Sequence, residues 1–156
     1  MYKAPQEVRT FFVTSVTNGR RPILSSEGMA RLLIDVFRYN REKRRFLLHE
    51  FVVMPDHFHL IITPAEDVSL EKAVQFIKGG FSFRAKRQLQ YSFLIWQESF
   101  TNHRIRDADD YALHRQYIHE NPVKRRSAKT TFEYPYSSAF PGVRLDPKPP
   151  WLKPGP

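Results

Sequence analysis

Met54-Pro55-Asp56-His57-Phe58-His59-Leu60-Ile61-Ile62 opens on a turn and continues as a strand. Proline and aspartate supply the turn chemistry, while Leu60, Ile61 and Ile62, with Val52 and Val53 upstream, have strand composition. Side chains two apart on a strand share a face, so His57 and His59 point one way and Phe58, Leu60 and Ile62 the other. The two imidazoles then stand about 7 Å apart along the backbone, and the apolar trio turns to a core. Two neutral imidazoles suit Mn, Fe, Zn, Cu or Ni, but two ligands are too few for a closed structural zinc site, and no cysteine is present to complete one. A metal bound here keeps open positions. With no third ligand in view, the pattern also fits two hydrogen-bonded or solvent-facing histidines.

Working outward, Phe46 to Val53 reads as the preceding strand, so the Met54-Pro55-Asp56 turn closes a hairpin. His49 joins the histidine face only in one register, which the sequence does not give. Arg9 to Thr17 reads as a first strand ending at Asn18-Gly19. Behind a Ser25 or Ser26 cap, Met29, Leu32, Leu33, Val36 and Phe37 recur at helical spacing, giving a helix to about Tyr39. Downstream, Ser69 caps a helix with Leu70, Ala73, Val74, Ile77 and Phe81 on one face, and the Gly79-Gly80 pair inside it calls for a bend or a close neighbour. Tyr91 to Trp96 reads as another strand, and Trp96 to Arg106 as loop or irregular edge. Asp107 to Asp110 starts a third helix, in which Tyr111, Leu113, His114, Tyr117 and Ile118 keep helical spacing until Pro122 closes it. Tyr117 and Asn121, four apart, share a face of that helix.

Strand, helix, strand, strand, helix, strand is an α+β order: the ferredoxin-like split βαββαβ arrangement, an antiparallel sheet with two helices on one face. The histidines are expected on the other face, under the third helix carrying Tyr117. Residues 1–140 are expected to form a single domain, followed by a proline-rich arm over 141–156; Tyr134 through Pro156 contains seven prolines.

Charge narrows the partners. The 25 Lys and Arg against 16 Asp and Glu leave a formal charge of +9 and a pI near 10.0, which favours nucleic acid. Aromatic residues, 14% of the chain, can stack on bases beside those cations. Lys78, Arg84 and Arg87 around and beyond the glycines, Arg104 and Arg106 before the third helix, and Lys124 and Arg125 at its end are candidate DNA contacts. Solvated helix faces and termini explain such residues equally well. Zero cysteine excludes disulfides and thiol catalysis and suits a reducing cytosol. Neither Met1 to Val8 nor any apolar run supplies a signal segment or a membrane span, so a cytoplasmic location and no membrane partner are expected.

Four stretches in this order, MPDHFHLII from Met54, WQESF from Trp96, YIHENPVK from Tyr117 and YPYSS from Tyr134, resemble the REP-associated tyrosine transposases. These are a branch of the IS200-like, single-tyrosine HUH transposases. The specific part is the pairing of a His-hydrophobic-His strand with a downstream Tyr-x-x-x-Asn-Pro. The resemblance implies an endonuclease that cuts and rejoins single-stranded DNA at REP-like hairpins, for DNA transposition or a host-adopted derivative, with Mg2+ or Mn2+ as cofactor. It implies His57 and His59 as metal ligands, Asn121 as the polar group completing the metal site, and Tyr117 as the nucleophile that forms a 5′-phosphotyrosine. A monomer or a homodimer is compatible. Asp56 stands where many relatives have Asn, a change of little chemical weight, and Arg125-Arg126-Ser127 replaces the usual Gly-Leu, which bears on how the chain leaves the helix.

The residue types suit that chemistry. A phenol with an ordinary pKa near 10 is a poor nucleophile and a phosphodiester a poor electrophile, so a cation that polarises and orients the phosphate is needed. Two other readings keep the same fold and charge: a non-catalytic module that binds hairpin DNA or RNA, and a metal-dependent nuclease that uses water and forms no adduct.

Overall fold

In the computed structural model, which describes residues 8–156, the chain builds a four-stranded sheet, three helices and an ordered C-terminal arm. Met1–Glu7, read above for a signal segment, lie outside the described residues. The strands are β1 (Phe11–Val16), β2 (Phe46–Met54), β3 (His57–Pro64) and β4 (Thr101–Arg104), in the antiparallel order β2-β3-β1-β4. Helices α1 (Glu27–Glu42) and α2 (Leu70–Leu89) cover one face, and α3 (Ala108–Lys124) covers the other. This is the split βαββαβ fold with the tyrosine helix over the second face.

Ser26 and Ser69 cap the first two helices, their hydroxyls accepting from the main-chain N–H of Met29 and Lys72. The alternation in β3 sorts its side chains as the sequence reads: Phe58, Leu60 and Ile62 join Phe37 and Phe81 in the larger core, while Ile61 joins Ile118 and Tyr111 under α3. Helix α2 runs unbroken through Gly79-Gly80. A Cβ on Gly80 would meet Cγ1 of Val36 on α1 at 3.6 Å, an ordinary van der Waals contact, and one on Gly79 would meet nothing within 4 Å, so α1 packs beside Gly80 without requiring either glycine. Among the described residues no helix is long and apolar enough to cross a membrane.

Two local readings need correction. Tyr91 to Trp96 is not a strand; its one ladder contact is the Trp96–Thr17 bridge. Of its apolar residues Phe93 and Leu94 are exposed, whereas Ile95 and Trp96 are buried, with Trp96 packed edge-on against Phe58 and Phe81 and its indole N–H donating to the Lys78 carbonyl. The fourth strand instead lies inside the segment read as irregular edge. It pairs with β1 alone and is mostly exposed, so its sequence has no apolar alternation to announce it.

Pro122 does not end α3 either. Proline forfeits one N–H, but Arg125 N still donates to the Asn121 carbonyl, and the last turn forms with Asn121 helical and buried. The helix leaves through a Schellman-type cap, with Arg126 N–H on Val123 O and Ser127 N–H on Pro122 O. Arg126 holds the left-handed φ of 59° that glycine would take more readily, and this is how the chain exits without the usual Gly-Leu. Beyond it, Tyr136 O accepts from Val53 N, and Ser138 N donates to Phe51 O. Asp146 pairs with Arg41 and accepts from Leu48 N, so the arm lies along the outer edge of β2.

Candidate active site

Strand β3 runs between β1 and β2, so α3 needs only to lie across the sheet to bury its histidines. His57 and His59 are 2% and 5% exposed, with ring centroids 4.7 Å apart. Each ring is held at Nδ1. The His57 nitrogen is 2.6 Å from Oδ1 of Asp56, whose Oδ2 meets Arg20, and the His59 nitrogen is 2.7 Å from Oγ1 of Thr14, its cross-strand partner on β1. Burial lowers the pKa of both imidazoles. For His57 it outweighs the Asp56 carboxylate, and for His59, with His57 and Arg125 adding, it pushes the value down to about 3. Both rings are neutral at physiological pH; the Asp56 carboxylate only accepts, so His57 donates Nδ1–H and keeps the Nε2 lone pair, and His59 keeps its own in the tautomer that donates Nδ1–H to the Thr14 hydroxyl.

Two buried polar atoms here lack a hydrogen-bond partner: Nε2 of His59 and Oδ1 of Asn121. Such a group costs about 1–3 kcal/mol, which makes the coincidence of a free imidazole nitrogen and a free amide oxygen chemically informative. One helical turn before Asn121, the Tyr117 ring lies edge-on to His59, with centroids 5.3 Å apart, and meets Phe12 at 5.9 Å. Tyr117 is 42% exposed, and the Lys124 ammonium lies 5.7 Å from its ring. His57, His59 and Tyr117 are therefore brought together beside α3, and Asn121 is buried on that helix one turn beyond Tyr117.

A buried carboxylate fixes that helix. The bulge in β2 between Leu48 and Glu50 inserts one residue, which turns both His49 and Glu50 toward α3. Glu50 accepts from Nε2 of His119 at 2.6 Å and from the Ser138 hydroxyl at 2.7 Å, and pairs with Arg115 at 3.3 Å. Burial alone would raise its pKa, but those hydrogen bonds and the charges of His119 and Arg115 prevail and lower it. His49 shares the face yet is spent elsewhere, on the Thr63 hydroxyl and the carbonyls of Asp146 and Pro147.

The candidate DNA contacts divide between the two faces. Lys124 and Arg125 border Tyr117 and the histidines. Arg104 stands on β4, and Arg106 follows it with Nε 3.8 Å from Asp110. Lys78, Arg84 and Arg87 belong to α2, across the sheet from Tyr117. Lys78 donates to the carbonyls of Gln97 and Ser99, and Arg84 and Arg87 lie over the rings of Tyr39 and Phe83.

Sequence reasoning did not single out Thr14, Glu50 or Phe12, whose roles depend on cross-strand register and a bulge. Nor did it assemble His103, Asp110 and His114, a group whose ligand atoms lie within 4.8 Å of one another and which could hold a divalent metal. The i, i+4 spacing of Asp110 and His114 was the available signal.

Comparison with known proteins follows the same lines. The family described as Transposase IS200 like matches residues 9–121. A REP-associated tyrosine transposase of Escherichia coli K12 is 31% identical over 129 residues, which is 82% of this chain and 74% of that protein. A Haemophilus influenzae relative is 33% identical over 104 residues, so the match spans 60% of this chain and 59% of that relative's length. Among solved structures, a REP-associated tyrosine transposase bound to a REP hairpin superposes with a TM-score of 0.70 at 29% identity, covering 88% of this chain and 82% of that one. A Deinococcus radiodurans protein shares the fold at 23% identity and a TM-score of 0.54, covering 78% of this chain and 97% of its own.

Proposed function

The chain belongs to the IS200-like transposase family, on its REP-associated tyrosine branch, and from that premise we propose that it cuts and rejoins single-stranded DNA beside hairpins through Tyr117. The observation that carries this reading is the meeting of Tyr117 with His59 while His59 Nε2 and Asn121 Oδ1 are buried without partners. Those free atoms fit a metal site: His57, His59 and Asn121 would hold a divalent cation, Mg2+ or Mn2+, with positions left over. When bound, the cation supplies Lewis acidity to a phosphate oxygen.

The protein groups do the rest. Lys124 and Arg125 attract the backbone to the tyrosine edge of α3. The exposed Tyr117 oxygen forms a bond to phosphorus as the bond to the 3′ oxygen breaks, and the proton lost by the phenol is balanced by one gained at the departing 3′ oxygen. The phosphodiester energy is kept in the 5′-phosphotyrosine, and attack by a 3′-OH reverses the step and rejoins strands. Because Tyr117 and His59 meet within one chain, a monomer suffices, acting on cytoplasmic DNA. The relative captured with a REP hairpin supports a hairpin as the element recognised.

Incubation with a hairpin oligonucleotide carrying single-stranded flanks and Mn2+ should give a protein–DNA adduct that survives denaturation. Tyr117→Phe should abolish it while DNA and metal binding persist; Tyr111→Phe and Tyr91→Phe should react normally. An undiminished adduct in Tyr117→Phe would move the nucleophile elsewhere. Cleavage with no adduct would indicate water as the nucleophile, and hairpin binding with neither would indicate a binding module.

A further inference from the structure

We propose that His103, Asp110 and His114 form a second divalent-metal site, separate from His57, His59 and Asn121, that takes a borderline ion such as Zn2+ and clamps the tyrosine helix to the sheet edge. His103 stands on the edge strand β4, and Asp110 and His114 stand one turn apart near the start of α3. Their contacts converge on Asp110: Nε2 of His103 is 2.8 Å from Oδ2, and Nδ1 of His114 is 2.8 Å from the main-chain carbonyl and 3.2 Å from Oδ1. The two imidazoles stack with centroids 4.6 Å apart and planes 17° apart.

Donors on a tetrahedral ion with bonds of about 2.0–2.1 Å are roughly 3.3 Å apart. The two imidazole–carboxylate spacings are within about half an ångström of that, and the ligand atoms of the whole set lie within 4.8 Å of one another, so side-chain rotations that unstack the imidazoles convert a hydrogen-bonded group into a ligand set. Asp110 is held in place for either role, Oδ2 accepting from Arg106 N at 3.0 Å. Two imidazoles and one carboxylate are a zinc-type set with a position left for water, whereas Mg2+ prefers oxygen alone. The side chains of His103 and His114 are 38% and 19% exposed, so an ion reaches them without unfolding.

The position gives the ion its role. Phe12 stands between the two histidine groups, its ring 4.8 Å from His114, 5.2 Å from His59 and 5.9 Å from Tyr117. Tying α3 to β4 at this point would fix the wall against which Tyr117 rests. His103, Asp110 and His114 have no part in the cutting proposed above, and metal uptake by them is read without any cutting.

The test uses the full-length chain carrying His57→Ala and His59→Ala, freed of metal and titrated with Co2+ and then Zn2+. One equivalent of Co2+ should bind with a visible ligand-field band and be displaced by Zn2+. Zn2+ at a hundredfold excess over its Kd should raise Tm by roughly 5–10 °C. Adding His103→Ala should abolish both signals with circular dichroism unchanged, because His103 lies on a short, mostly exposed edge strand. Should the double variant fold poorly, the otherwise unmodified chain and its His103→Ala variant are compared: a loss of one bound equivalent supports the site. Absence of Co2+ uptake by a folded double variant, or equal uptake with and without His103, overturns it.

Discussion

Asp56 and His57 are neighbours in the chain, and the 2.6 Å contact between them sets which nitrogen of the imidazole is free. A carboxamide oxygen at this position would also accept Nδ1–H, less strongly than a carboxylate, so an Asn here would keep the same tautomer. Thr14 holds Nδ1 of His59 from the neighbouring strand, at 2.7 Å. Such outer partners fix the tautomer and orientation of a ligating histidine, and their loss costs roughly 10–100-fold in metal affinity. Asp56→Ala should therefore weaken Mn2+ binding by that factor in a calorimetric titration, whereas Asp56→Asn should stay near the parent value. Parent-like affinity in Asp56→Ala would mean that His57 is held some other way. At this scale the sequence is most legible where spacing alone suffices: the shared face of His57 and His59 follows from strand period, and the shared face of Tyr117 and Asn121 from helix period. Thr14 was not legible, because its place opposite His59 exists only once β1 and β3 are in register.

Helix α3 is the element on which the site depends, and it is anchored by charge as much as by apolar packing. Ile118 and Tyr111 supply its buried contacts, but the face toward β2 also carries His119 and Arg115, both directed at Glu50. Glu50 reaches them because a bulge gives β2 an extra residue, and Leu48-His49-Glu50 carries no glycine that would mark a bulge in the sequence. The same difficulty hid β4, whose exposed residues lack alternation, while the apolar run that was read as a strand plugs the core through Ile95 and Trp96. Removing the Glu50 carboxylate leaves the part-buried His119 without its partner, while the Ser138 hydroxyl keeps its bonds to the Phe51 main chain. Arg115 is 54% exposed at its side chain, so water screens its share and the loss stays moderate. Glu50→Ala should lower unfolding stability by roughly 1–3 kcal/mol in urea titrations. Glu50→Gln, which can still accept one hydrogen bond, should lose less. Both should reduce adduct formation beyond what lost stability explains, since α3 carries Tyr117 and Asn121. Full stability in Glu50→Ala would show that apolar packing alone seats the helix.

The whole molecule carries a formal charge of +9, but the fold spreads its cations over two unlike faces. On the α1 and α2 side, guanidinium groups are already stacked on rings, Arg45 over Phe76 at 4.0 Å and Arg84 over Tyr39 at 4.7 Å. On the α3 side, Lys124 and Arg125 stand beside Tyr117 and the histidines. Composition announces a polyanion partner without saying which face meets it, because net charge has no geometry. If DNA lies along the tyrosine edge, only the cations there release counterions, and each phosphate contact contributes about one unit to the salt dependence of binding. Affinity for a flanked hairpin, measured by fluorescence anisotropy over a salt series, should fall steeply and exceed that for blunt duplex at every concentration. Lys124→Ala and Arg125→Ala should each flatten the log–log slope by about one unit. Arg84→Ala, across the sheet, should leave the slope unchanged. A slope that responds to Arg84 and not to Lys124 or Arg125 would place the DNA on the α2 face and detach binding from the tyrosine site.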